Sequence, residues 1–97
     1  MTTQLRMYTI NRDSLHLFAK EWKEMVVPLR IEHDFRILGA WTIEETNQFA
    51  WLISYDGQES WEAKEDAYYS SVDRKDMEPN PARLISRSEQ YFVDSIL

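Results

Sequence analysis

Apolar and polar residues change their period several times along the chain, and each change marks an element. From Gln4 to Ile10 they alternate in twos and include Tyr8, Thr9 and Ile10, the pattern of a strand with one face buried. Beyond Asn11-Arg12 the period lengthens. Leu15, Phe18, Trp22, Met25, Val26 and Leu29 recur at three- and four-residue spacing, which predicts an amphipathic helix capped by Asp13 or Ser14. Lys20, Glu21, Lys23 and Glu24 fall opposite this stripe and read as its solvated face. Pro28 has no amide donor and is expected to tighten or end the last turns.

Two strand-like runs follow, Phe35 to about Ile43 and Asn47 to Tyr55, joined by Glu44-Glu45-Thr46 as a hairpin. Strict alternation puts Ile37, Trp41 and Ile43 on one face with Phe49, Trp51, Ile53 and Tyr55. Leu38, Ala40, Ala50 and Leu52 then take the other. Neither face is polar. A sheet covered on one side only should alternate apolar with charged residues. One helical layer covers one face, so the second requires a cover that a chain of 97 residues cannot supply. A partner sheet is the simplest one, and a homodimer through the sheet face is expected.

Asp56-Gly57-Gln58-Glu59 reads as a turn in which Asp56 caps and Glu59 reaches back, opening a second helix to about Tyr69. Its buried side is less clean: Trp61, Ala67, Tyr68 and Ala63. Ser70 to Ala82, with Pro79 and Pro81, is expected to be irregular apart from a short helical turn between Val72 and Met77. Glu89 to Ile96 reads as the last strand, with Phe92 and Ile96 on one face and Tyr91 and Val93 on the other. The order β-α-β-β-α-β predicts one α+β domain over residues 1–97, ferredoxin-like, with a four-stranded antiparallel sheet backed by two helices.

Charge and composition narrow the partners. A net charge of −6 argues against nucleic acid and anionic membrane surfaces, which require a basic face, and the scattered Lys and Arg residues read as solvated surface. With no cysteine there are no disulfides, thiolate nucleophiles or thiolate metal sites, which suits a reducing compartment. No run approaches the ~20 apolar residues of a membrane span, and no signal-peptide core opens the chain, so a cytoplasmic location is expected.

Gln4-Leu5-Arg6-Met7-Tyr8-Thr9, the helix end Val27-Pro28-Leu29-Arg30 with Glu32-His33, and Phe35-Arg36-Ile37-Leu38-Gly39-Ala40-Trp41-Thr42 together resemble the NIPSNAP domain. Asn47-Gln48, Trp51, Tyr55-Asp56 and Leu84-Ile85-Ser86-Arg87-Ser88-Glu89 extend the resemblance over nearly the whole chain. It implies a dimeric α+β barrel, in which two ferredoxin-like units meet by their sheets and pockets lie between sheet and helices. It implies no particular reaction, because that fold also houses oxygenases, isomerases and haem enzymes. The chain departs from the family pattern at Asp34, where a glycine often follows the histidine, and at Trp61-Glu62-Ala63-Lys64, where arginines are frequent. Its Pro-Asn-Pro segment replaces the Asp-Pro-containing helix usual before the last strand.

Candidate chemistry is sparse. His33, between Glu32 and Asp34 at the end of the first helix, is the best proton carrier if a pocket opens beside it. The plainer reading is a histidine at a helix C-terminus facing the last free carbonyls. His16 has no second ligand at helical spacing, and no metal or other cofactor is expected. Tyr8, Trp22, His33, Trp41, Trp51, Tyr55 and Tyr68 are candidate ligand contacts, aromatic groups that serve equally well as core. Arg6, sharing a strand face with Tyr8, must find an anion from Glu, Asp or a ligand if that face is covered. Glu44-Glu45 and Glu62 with Glu65-Asp66 read as solvated acids. Three functions remain open: a homodimeric domain binding a small apolar or aromatic metabolite, a cofactor-independent oxygenase or isomerase using His33, Tyr8 and Arg6, and an interaction scaffold.

Overall fold

The computed structural model describes residues 1–97. Strand β1 (Thr2–Ile10) lies inside the sheet, antiparallel to β3 (Gln48–Tyr55) on one side and to β4 (Ile85–Val93) on the other. Strand β2 (Arg36–Ile43) lies beyond β3, giving the order β2-β3-β1-β4 of the expected ferredoxin-like α+β fold. Helix α1 (Leu15–Glu21), a wider π-helical stretch over Trp22–Val26 and α2 (Val27–Glu32) follow one another without a break. Their stripe of Leu15, Phe18, Trp22, Val26 and Leu29 is buried.

Pro28 does not end this helix. The amide of Val27 donates to the carbonyl of Trp22, five residues back, so the turn before the proline is widened and the chain continues to Glu32. A π turn is rare, and here it accommodates a residue that cannot donate. His33 then closes the helix, its amide directed to the carbonyls of Leu29 and Arg30.

The faces of β2 differ from strict alternation. Ile37 pairs with Ile53, but Gly39 pairs with Leu52, so one extra residue is accommodated around Leu38. Such a bulge exchanges the two faces for everything after it. Ala40 therefore sits opposite Trp51 on the helix side, while Trp41 sits opposite Ala50 and Ile43 opposite Gln48 on the outer side. Trp41 is 53% exposed, and its indole lies over Gly39, where a Cβ would stand 2.6 Å from the ring. The outer face combines Leu5, Met7, Leu38, Trp41, Leu52 and Tyr91, with the largest of them half open to solvent.

The last strand begins at Ile85 and ends at Val93, so Ile96 lies outside it, almost fully exposed. Ser86 to Glu89 carry no apolar alternation because β4 is an edge strand; its place is fixed by backbone pairing with Met7, Tyr8 and Thr9. Helix α3 (Trp61–Ser70) is capped by Ser60, whose Oγ accepts the Ala63 amide at 3.1 Å, and not by Asp56, which is exposed. Its buried side is Trp61, Lys64 and Tyr68, with Ala63 and Ala67 facing water. Short α4 (Val72–Lys75) and a 3₁₀ turn at Pro81–Leu84 complete the connection to β4.

Glu21, expected on the solvated face, is 7% exposed and accepts two hydrogen bonds from the Arg83 guanidinium, at 2.6 and 2.9 Å. These bonds join the first helix to the turn before β4. They hold the Glu21 carboxyl below its usual range, against a smaller opposing effect of burial. A depressed carboxyl stabilises the fold fully above its unfolded value, 4.5, and loses that contribution as pH falls through the folded one. Urea midpoints of wild type and Glu21→Gln should therefore diverge at neutral pH and converge in acid; a gap independent of pH would show that the pair has no titrating role. Ser60→Ala should lower stability by about 1 kcal/mol in the same assay.

Candidate functional site

Two arginines are buried between the sheet and the helices. Strand alternation turns Gln4, Arg6, Tyr8 and Ile10 inward from β1, and Arg30 enters from the last turn of α2. Arg6 is 2% exposed and Arg30 1%. Both guanidinium groups donate at 2.8 Å to the same oxygen, Oε1 of Glu65, which α3 supplies at 15% side-chain exposure. Both also donate at 3.2 Å to the hydroxyl of Tyr69, and Arg6 Nε donates at 2.7 Å to Gln4 Oε1. Arg30 lies 3.7 Å from the ring centre of Tyr68 and 4.8 Å from that of Phe35, and Arg6 lies 5.4 Å from Trp51. Aromatic faces of this kind offset part of the cost of burying a cation.

Burial works against the charge of Arg6, but nearby Tyr8, Tyr69 and Glu65 more than offset it, and its pKa is raised. Burial raises the hydroxyl pKa of Tyr8 against the lowering effect of Arg6, and does the same to Tyr68 against that of Arg30. Both phenols remain protonated at neutral pH and can donate.

Beside this cluster lies a cavity of about 70 Å³. Tyr8, Trp22, Trp51 and Tyr68 form much of its aromatic wall; Arg6, Arg30 and Arg74 reach it, and no carboxylate does. Roughly five to seven water-sized groups fill such a volume, well short of the ~300 Å³ of a drug-sized pocket. The indoles of Trp22 and Trp51 make edge contact at 5.2 Å, and the phenol of Tyr8 packs against Phe18 at 5.8 Å.

The structure thus brings Tyr8, Trp22, Trp51, Tyr68 and Arg6 together and separates the other candidates from them. Trp41 is on the opposite face of the sheet, carried there by the β2 bulge. Tyr55 is buried 6.0 Å from Phe35 with its hydroxyl accepting the Glu59 amide, away from the cavity wall. His33 is half-buried and packs edge-on against the Tyr68 ring at 5.5 Å, outside the cavity. His16 is exposed, with Nε2 2.9 Å from Glu44. Arg30 and Glu65 were missed as site residues. Arg30 follows Leu29 directly and stands four residues after Val26, at the border of the stripe. Glu65, expected to be solvated, stands four residues after Trp61 and three before Tyr68, the spacing of a shared helix face.

A sequence model of the NIPSNAP family matches residues 3–95. The chain belongs to the NIPSNAP family. No protein of curated function matches it. Its fold is that of a NIPSNAP domain protein from Burkholderia xenovorans (18% identity, 98% of this chain and 94% of that one covered, TM-score 0.82). It is equally that of a NIPSNAP family protein from Agrobacterium tumefaciens (14% identity, 95% and 90% covered, TM-score 0.82). A putative antibiotic biosynthesis monooxygenase from Bacteroides thetaiotaomicron shares it as well (19% identity, 99% and 90% covered, TM-score 0.70). Asp34 of this NIPSNAP chain has a φ of 70°, the left-handed region that favours glycine. Its carboxylate accepts a hydrogen bond at 3.2 Å from Lys64, which is 7% exposed, so the side chain at this strained position has a partner to hold.

The arrangement sets hydrogen-bond donors and aromatic rings around a small void. It shows no paired acid and base. Removing the charge that joins its arginines should be costly: Glu65→Gln leaves two buried cations facing one another. A loss of roughly 3 kcal/mol is expected in urea unfolding; a loss below about 0.5 kcal/mol would place the pair in the range of solvent-screened surface bridges.

Proposed function

We propose that this NIPSNAP chain is a homodimeric binding domain that holds a small apolar or aromatic metabolite between sheet and helices. The observation that carries the reading is the cavity walled by Tyr8, Trp22, Trp51 and Tyr68, aromatic and without a convergent acid–base pair. Its volume limits the occupant to a few non-hydrogen atoms, at most a single ring. Dimerisation is supported by the outer sheet face, where Leu38, Trp41 and Tyr91 are each about half exposed. Apolar side chains gathered on one exposed face mark an association surface. The cavity lies on the opposite side of the sheet, so each chain builds its own. A domain covering residues 1–97 and free of cysteine suits the cytoplasm.

A second reading is a cofactor-independent oxygenase or isomerase of the dimeric barrel kind, drawn from the fold shared with the putative monooxygenase. In that reading Arg6 or Tyr8 holds a developing oxyanion. It lacks a proton carrier at the cavity, because His33 stands outside it.

Thermal-shift screening with short-chain and single-ring compounds tests the binding reading. Saturation of a site near 100 times Kd adds about 2.7 kcal/mol, a rise of several degrees in Tm. If no compound raises Tm, the cavity is a core void. For assembly, sedimentation equilibrium of wild type should give twice the chain mass at micromolar concentration, and Leu52→Arg should give the monomer. A monomeric wild type would remove the dimer from the account.

A further inference from the structure

The binding reading leaves open what kind of head group the cavity takes, and the charges around it supply an answer. The chain as a whole carries a net charge of −6, yet Arg6, Arg30 and Arg74 reach the cavity and neither Asp nor Glu does. Against the two buried guanidinium groups stands a single carboxylate, Glu65, whose Oε1 both share. Arg74, half-buried, is within 4.0 Å of no carboxylate and rests 5.5 Å from the Tyr69 ring. The local balance is positive, in a setting where an unbalanced charge is expensive.

The hydrogen-bond inventory has the same sign. Among the residues that form the wall, Trp22 Nε1, Arg30 Nε and the Tyr68 hydroxyl are buried and have no partner in the protein, while Trp51 Nε1 is directed toward the Tyr8 oxygen. Indole and guanidinium nitrogens only donate, and the Tyr68 phenol is held protonated by burial. Donors in excess over acceptors call for a group that only accepts. Phe18, Val26 and Ile85 complete the wall with apolar surface, so the rest of the molecule is hydrocarbon.

We propose that the cavity is a site for a short monocarboxylate, its carboxylate received by the arginines and the Trp22 indole N–H and its hydrocarbon part by the apolar wall. The assignment rests on the cavity being a ligand site. With Arg74 counted, three guanidinium groups stand against one carboxylate, and a monoanion offsets part of that excess. A phosphate would match the charge but has no hydrocarbon to place against the apolar wall. About 70 Å³ sets the size at roughly five to seven non-hydrogen atoms, a range that includes a four-carbon acid.

Trp22 and Trp51 report on the site, so quenching of tryptophan fluorescence by butyrate, butyramide, phenol and inorganic phosphate, each titrated into the full chain, is the test. Butyrate should quench saturably, and butyramide, its neutral analogue, should bind at least about tenfold more weakly, the equivalent of one lost charge-assisted hydrogen bond. Arg74→Gln should weaken butyrate by a similar factor and butyramide by clearly less, because only butyrate loses an ionic contact; circular dichroism and Tm check that this variant is folded. Equal binding of butyrate, butyramide and phenol would overturn the carboxylate assignment and leave the binding reading standing. Preferential binding of phosphate would also overturn it. No saturable binding by any of the four compounds would remove the carboxylate site, and the thermal-shift panel would then decide separately whether the cavity binds anything.

Discussion

One oxygen atom joins three elements that are far apart in the chain. Oε1 of Glu65 receives Arg6 from β1 and Arg30 from α2, across sequence separations of 59 and 35 residues. Helix α3 has little apolar surface with which to choose its orientation, since Lys64 shares its buried side with Trp61 and Tyr68. Hydrophobic burial holds such a helix near the sheet but leaves its rotation loosely defined, whereas an ion pair at 2.8 Å does not tolerate a turn of the helix. The energetic sign of a buried ion pair relative to an apolar substitute is often near zero. What the cluster contributes is a single arrangement, and that arrangement closes the cavity on the α3 side by setting Tyr68 and Tyr69 beside the guanidinium groups.

The sheet separates two surfaces of different character. Its inner face carries aromatic rings and Arg6 and borders a small void; its outer face carries aliphatic side chains, Trp41 and Tyr91. One extra residue in β2 decides which indole belongs to which face. With strict alternation Trp41 would join the core beside Trp51, and the smaller Ala40 would face outward. The bulge reverses this, packing Ala40 against the crowded inner layer and placing the large ring where another surface can meet it.

Much of this was legible in the residues. The helical stripe from Leu15 to Leu29, the two-residue alternation of β1 and the hairpin are set by local period, and the element order followed from them. The bulge was not legible, because Ile37-Leu38-Gly39-Ala40 carries apolar or small residues throughout and neither register leaves a polar residue to object. The start of β4 was hidden because Ser86, Arg87 and Ser88 are held by a neighbouring backbone and not by side-chain burial. For the site, Arg6 was visible as a charge on a covered face, but its partner was not. Glu65 lies among Glu62 and Asp66 in a helix of low apolar content, and its spacing from Trp61 and Tyr68 is a weak mark of the buried side until Arg6 and Arg30 are placed beside it. His33 drew attention by its chemistry, whereas its position is that of a helix-ending residue packed on Tyr68.

The central claim is that Arg6 and Arg30 are charged, buried and fixed by Glu65. Side-chain amide exchange of the arginines, followed by nitrogen-15 NMR, tests it most directly. Arg6 Nε–H is hydrogen-bonded at 2.7 Å and Arg30 Nε–H is shut away from water, so both should give resolved signals exchanging at least about a hundredfold more slowly than that of exposed Arg12. Exchange of either one as fast as that of Arg12 would mean that water reaches the guanidinium groups, and the ion cluster would not be the fixed point described here.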